Sequence, residues 1–144
     1  MIILSKGKTD DYLEVFGLTK EHILKYEIRV NLLDKIIPQV EERIKNHIED
    51  IYRIYHDEQH VGYITLIKMD DDVVQIDDFY IFEKFQRKGY GSEVINTLTK
   101  RYSHLQLYVF RNNPIAIKLY KKFNFEIIDQ DVIMYKMKYA SHLH

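Results

Sequence analysis

Hydrophobic and polar positions order the chain as strand, helix, a strand-rich block, then strand and helix in alternation. Ile2, Ile3 and Leu4 form a short apolar run before a turn at Lys6-Gly7-Lys8 and predict a first strand. Thr19 is placed to cap a helix through Ile23, Leu24 and Ile28. Residues 31–48 predict more helix, with Pro38 near its start and Val40, Ile44, His47 and Ile48 on one apolar face. Glu41, Glu42 and Arg43 fall on the opposite face, read as solvated surface, with an acidic rim facing a cationic substrate as the alternative. Residues 51–56 alternate tyrosine with isoleucine or arginine, 57–60 are turn-like, and 61–68 put Val61, Tyr63, Thr65 and Ile67 on one side of a strand. Residues 73–82 are apolar on both faces toward their end, the pattern of a central strand covered on both sides.

That central strand leads into the most informative stretch. After a short polar turn, Gly89 and Gly91 open an amphipathic helix. The first amides of a helix have no partner within it, and the helix dipole adds positive character there. Phosphate binds such a place, and glycine lets it approach the backbone. Arg87 and Lys88 add charge at the same lip. The spacing is neither a P-loop nor the dinucleotide fingerprint, whose third glycine would stand where Val94 is.

Val94, Ile95, Leu98 and Tyr102 make a helical stripe, and residues 105–110 alternate as a strand. Strand, helix and strand form a right-handed crossover, so the two strands are expected to be parallel. Ligands of open α/β sheets sit beyond the carboxyl ends of such strands, where residues 86–91 and 110–113 emerge. Asn113 caps a further helix, with Pro114 as its first residue and Ala116, Leu119, Tyr120 and Phe123 as its packed stripe. Asn124 follows, suited to a left-handed C-terminal cap, and residues 126–129 and 132–137 predict two last strands.

Composition narrows the class. A chain of 144 residues with 46% apolar and 13% aromatic content is expected to fold as one domain, 1–144. With no cysteine, no signal-peptide pattern and no apolar run of the roughly 20 residues that span a bilayer, a soluble cytoplasmic protein is expected. A net charge of -1 gives no field for nucleic acid or an anionic membrane, and Lys118, Lys121 and Lys122 alone make no basic stripe. No metal is expected. His56 and His60 bracket a turn rather than sharing a helix face, and Asp70-Asp71-Asp72 lacks the glycine and distal glutamate of a calcium loop. His142 and His144 close a tail without pattern, read as frayed.

Gln86, Gly89 and Gly91, followed one helix and one strand later by Asn113, Ala116, Leu119, Tyr120 and Phe123, resemble the two signature motifs of the GNAT superfamily of N-acetyltransferases. The resemblance runs from about residue 73 to the end; the first third matches in element order only. Two positions depart from the family pattern: Asn124 stands where glycine is usual, and Glu83 where proline is frequent. The resemblance implies an α/β fold (α+β by some schemes): a mixed, mostly antiparallel central sheet with one parallel, splayed strand pair and helices on both faces. It also implies acetyl-CoA as cosubstrate and a primary amine as acceptor; a small-molecule, polyamine-like amine is favoured, and an amino acid, an antibiotic, a peptide N-terminus and a protein lysine stay open.

By the same resemblance, Gln86, Arg87, Lys88, Gly89, Tyr90, Gly91 and Ser92 would hold the pyrophosphate. Ile81 and Phe82 would pair with the pantetheine amides, with Asn113 contacting the same arm. Tyr120 would protonate the departing thiolate; its plain alternative is a core tyrosine on a helix stripe. Asp77 and Asp78 are candidates for the general base, as is a water relay through Gln75 or a backbone carbonyl. Strand alternation sends the two aspartates to opposite faces, and burial cost requires at least one to meet a cleft. Acidic residues at these positions are similar to those of the polyamine acetyltransferase branch. A non-catalytic CoA-binding sensor on the same fold is the alternative function, and a homodimer pairing through the β-rich C-terminus is compatible with either.

Overall fold

The computed structural model describes residues 1–141, so the tail that holds His142 and His144 lies outside the described residues. Seven strands form one sheet: β1 (Ile2–Lys6), β2 (Ile51–His56), β3 (Gln59–Lys68), β4 (Val74–Ile81), β5 (His104–Phe110), β6 (Glu126–Gln130) and β7 (Met134–Ala140). Their order is β1-β2-β3-β4-β5-β7-β6, and every neighbouring pair is antiparallel except β4 with β5. Four helices cover the two faces: α1 (Asp11–Tyr26), α2 (Leu33–Asn46), α3 (Tyr90–Arg101) and α4 (Pro114–Lys122). The expected mixed sheet with helices on both faces is what forms. No helix among the described residues is long and apolar enough to cross a membrane.

Side-chain periodicity explains the layers. Val94, Ile95 and Leu98 of α3, with Tyr120 of α4 and Phe125 beyond it, pack on Ile64, Leu66, Val74, Ile76, Leu105 and Leu107. On the opposite face Val15 of α1 and Ile44 of α2 pack on Ile51 and Tyr63, while Ile23 meets Phe110 and Ile133. Val61 joins the α3–α4 side although Tyr63 faces α1, because a register shift opposite Ile54 and Tyr55 breaks the expected alternation.

Helix α1 begins eight residues before Thr19, which lies inside it rather than capping it. Val15, Thr19 and Ile23, spaced by four, form its buried stripe. The Asp11 carboxylate accepts the Lys8 N–H at its entrance. In α2, Pro38 sits inside the helix rather than at its start, where it gives up one backbone hydrogen bond.

Two irregularities in β4 position the site. Thr65 pairs with Asp77 and Tyr63 with Tyr80, so Asp78 and Phe79 together oppose one residue of β3. Asp78 takes up this bulge at φ +46°. Parallel pairing of β4 with β5 covers only Val74–Ile76 against Leu105–Leu107. Beyond it the strands run to Ile81 and Phe110 without pairing each other, which is the expected splay.

Candidate active site

The loop after β4 is held by its own backbone. A single helical turn at Glu83–Phe85 follows the strand, and Gln86 Nε2 donates to the Ile81 carbonyl at 2.9 Å. Arg87 at φ +65° and Gly89 at φ +82° then turn the chain into α3. Space around Gly89 is open, so glycine serves conformation there. Gly91 has ordinary φ; a Cβ on it would reach Leu119 and Phe79 at 3.8 and 3.9 Å, so its lack of a side chain keeps the gap toward α4 clear. Arg87 and Lys88 are exposed, and Tyr90, Gly91 and Ser92 supply the first amides of α3.

Helix α4 flanks the same gap from the far side of β5. Buried Asn113 accepts the Ala116 N–H through Oδ1 at 3.3 Å, the cap expected of it, and Asn124 holds the left-handed φ of +68°. Tyr120 is buried, its ring 5.7 Å from that of Phe125, and burial pushes its phenol well above the ordinary range. Tyr80 of β4 is raised likewise, first by burial and then by the charge of Asp78, with Tyr120 adding to the rise.

Asp77 and Asp78 do not point to opposite faces. The bulge turns both toward α1 and α2, where they meet Arg43. The Arg43 guanidinium donates to both Asp78 oxygens at 3.0 Å and to Asp77 at 3.3 Å. Thr19 adds a hydrogen bond to Asp78 at 3.1 Å and Thr65 one at 3.4 Å. Gln75 donates to Asp77 at 3.1 Å and accepts from Gln106 of β5 at 2.7 Å. Burial pushes the Asp77 carboxyl above its ordinary value, with Arg43 pulling the other way. Arg43, read from the sequence as solvated, is therefore the centre of a partly buried charge cluster.

Thr19, His22 and Tyr26 line one face of α1 over the opening. The His22 ring lies 4.7 Å from Tyr26, 5.5 Å from Tyr80 and 5.7 Å from Phe110, centroid to centroid. His22 and Tyr80 carry no reading from the sequence, Thr19 reads there only as a helix cap and Arg43 as solvated surface. The signal was the i, i+3, i+7 spacing of residues 19, 22 and 26, which becomes legible once the helix is started at Asp11.

Next to Phe82 an open groove of about 710 Å³ is lined by Glu14, His60, Phe82, Glu83 and Lys84. Its floor is braced by Tyr63, which donates to Glu14 at 2.7 Å and to Asp11 at 3.2 Å. Among the described residues no group of three His, Asp or Glu side chains is placed to hold a metal ion.

Comparison with known proteins accords with this geometry. The chain is 29% identical to the acetyltransferase PseH of Campylobacter jejuni over 90 residues, which cover 58% of this chain and 55% of that protein. It is 36% identical to the spermine/spermidine N(1)-acetyltransferase of Bacillus subtilis over 59 residues, 37% of this chain and 39% of that protein. The matches thus span about half or less of these curated relatives. The crystal structure of the PaiA N-acetyltransferase of Thermoplasma acidophilum in complex with coenzyme A superposes with a TM-score of 0.72 at 20% identity, covering 97% of this chain and 99% of that one, a likeness of fold. The model of the acetyltransferase (GNAT) family matches residues 19–125. That stretch takes in the second half of α1, the splayed strands and both motifs, and by it the chain belongs to the GNAT family of acetyltransferases.

Proposed function

We propose that residues 1–144 act as one acetyl-CoA-dependent N-acetyltransferase domain that moves an acetyl group to a primary amine by direct attack on the thioester. The observation that carries this is the parting of β4 and β5 after Ile76 and Leu107, with a glycine-bearing helix start at one end and Tyr120 beside the gap. The residues fit acetyl-CoA on three counts. The α3 amides and the exposed Arg87 and Lys88 suit a pyrophosphate on Gln86–Ser92. The β4 edge that parts from β5 after Ile76 suits the pantetheine amides on the way to Ile81 and Phe82, where the Ile81 carbonyl already accepts from Gln86 and the Phe82 N–H is held by the Val61 carbonyl, and Asn113 stands at the facing lip. The absence of a side chain on Gly91 leaves room that a Cβ would partly fill.

Chemically, backbone N–H groups at the β4 edge would polarise the thioester carbonyl as the amine attacks. Tyr120 would give its proton to the departing sulfur. A phenol raised by burial holds that proton until a thiolate forms beside it. Asp77 and Asp78 set two carboxylates against the one guanidinium of Arg43 in this cluster. That balance, with the kinship to a spermine/spermidine acetyltransferase, supports a small cationic amine as acceptor. Nothing in the charge distribution asks for nucleic acid or membrane, and the reading places the chain in the cytoplasm. A homodimer would pair through β6, an edge strand with all five residues exposed.

Calorimetric titration with acetyl-CoA, with dephospho-CoA alongside, followed by thiol release against an amine panel, tests the reading. Tyr120→Phe should lower turnover by on the order of 10²-fold while the Kd for acetyl-CoA stays the same. Binding without thiol release from any amine would favour the sensor alternative. No binding at millimolar ligand would overturn the proposal.

A further inference from the structure

We infer that His22 is the group that takes the proton from the attacking amine. This rests on the reading of the chain as an acetyl-CoA-dependent N-acetyltransferase. Residues identified from the sequence as candidates for this role, Asp77 and Asp78, are committed elsewhere. Asp78 is only 3% exposed and holds two bonds from Arg43 and one each from Thr19 and Thr65. A carboxylate whose oxygens are already engaged by a guanidinium and two hydroxyls has no free lone pair directed at an entering amine. Asp77 shares the same guanidinium and binds Gln75.

His22 is differently placed. It stands on the α1 face of the sheet and touches one residue from each lip of the gap, Tyr80 of β4 and Phe110 of β5. Tyr120 belongs to the α4 face, on the other side of the same opening. A thioester lying between the strands would have the acid at its sulfur on one side and the imidazole on the other, where the amine must enter. Among the described residues neither ring nitrogen of His22 is engaged in a hydrogen bond. The ionisable groups facing it are Lys25 and Tyr26 on α1 and Asp78 and Tyr80 on β4; its contact on β5, Phe110, does not titrate. Burial and then the Lys25 charge lower its pKa, against the pull of Asp78, so the imidazole is neutral and able to accept at pH 7.

The protons balance. An acceptor arriving as R–NH₃⁺ gives one proton to His22, and the freed lone pair forms the C–N bond. The carbonyl π pair moves to oxygen and returns as the C–S bond breaks. The sulfur takes the Tyr120 proton, and the surplus proton on nitrogen restores Tyr120. His22 then releases its proton to water, leaving amide, free CoA and one H⁺.

The test compares the full chain with His22→Gln and His22→Asn. An amine that the unaltered chain acetylates is used, and kcat and KM are followed from pH 5.5 to 9.5. The expected result is a kcat lower by on the order of 10²-fold at pH 7 in both variants, with the acetyl-CoA Kd unchanged, the acidic limb of the kcat/KM profile lost and partial rescue by added imidazole. A variant that binds acetyl-CoA normally, keeps kcat within about threefold and retains the acidic limb would overturn this assignment alone. Absence of thiol release by the unaltered chain with every amine would overturn the acetyltransferase reading and this one with it.

Discussion

Asp11 is the residue through which α1, and with it Thr19 and His22, is tied to the sheet. Its carboxylate receives Arg53 Nε and Nη2, each at 2.8 Å, the Lys8 amide at 2.8 Å and the Tyr63 hydroxyl at 3.2 Å. These donors, Arg53 foremost, hold its pKa at about 2 against an ordinary 3.8, although burial works the other way. At about 1.4 kcal/mol per pH unit, the difference corresponds to about 2–3 kcal/mol of folding free energy. The folded value lies below the unfolded one, so this stability is fully present above about pH 5 and drains away as pH falls from about 4 to 2. Asp11→Asn removes the charge and strands Arg53, which is only 22% exposed. Loss of one partner of a buried pair costs about 3–5 kcal/mol, and the remaining Tyr55 contact at 3.4 Å and solvent at Arg53 set the expectation at about 3. Urea unfolding of both proteins in steps from pH 7 to pH 2.5 reads both quantities. Glu27 and Asp131, also held low, titrate in both proteins, so the difference between the two curves isolates Asp11. The gap should be about 3 kcal/mol at pH 7 and shrink by about 2 at the acid end. A gap that stays constant across pH would refute the linkage, and one under 1 kcal/mol at neutral pH would refute the anchoring role.

Two further substitutions probe the strands and the charge cluster. A Cβ on Gly62 would lie 2.0 Å from the Tyr80 carbonyl oxygen and 3.1 Å from Ile81 Cα, both backbone atoms that cannot rotate away. Gly62→Ala should therefore cost about 3 kcal/mol in chemical denaturation, at the upper end for overpacking, and a loss below 1 would mean that β3 and β4 can part freely. Arg43→Gln leaves Asp78 buried without its cation. The expected loss is about 2–4 kcal/mol, below the fully buried limit because the Arg43 side chain is 37% exposed, and an unchanged melting temperature would show that Asp78 reaches water.

The stretch from β4 to α4 was legible because its proposed role depends on backbone conformation, which sequence states locally. A left-handed φ calls for Gly89, a helix start for Asn113 and Pro114, and a left-handed exit for Asn124. What was missed has a common physical origin. Thr19 looked like a cap, Arg43 like a solvated charge, and Asp77 and Asp78 like residues on opposite faces. Each is decided by a partner distant in the chain: Thr19 meets Asp78 across 59 positions and Arg43 meets it across 35. Periodicity sees no such pairing, and it is equally blind to the one extra residue in β4 that turns both aspartates the same way. The two halves of the proposed site are thus encoded differently. The half assigned to acetyl-CoA is built from local turns and caps, whereas the half facing the acceptor is built from buried charges and rings brought from α1, α2 and β4. Acceptor preference is accordingly expected to respond to substitution of Thr19 or Tyr80, with the glycine turn, α4, Arg43 and the proposed base His22 left as they are.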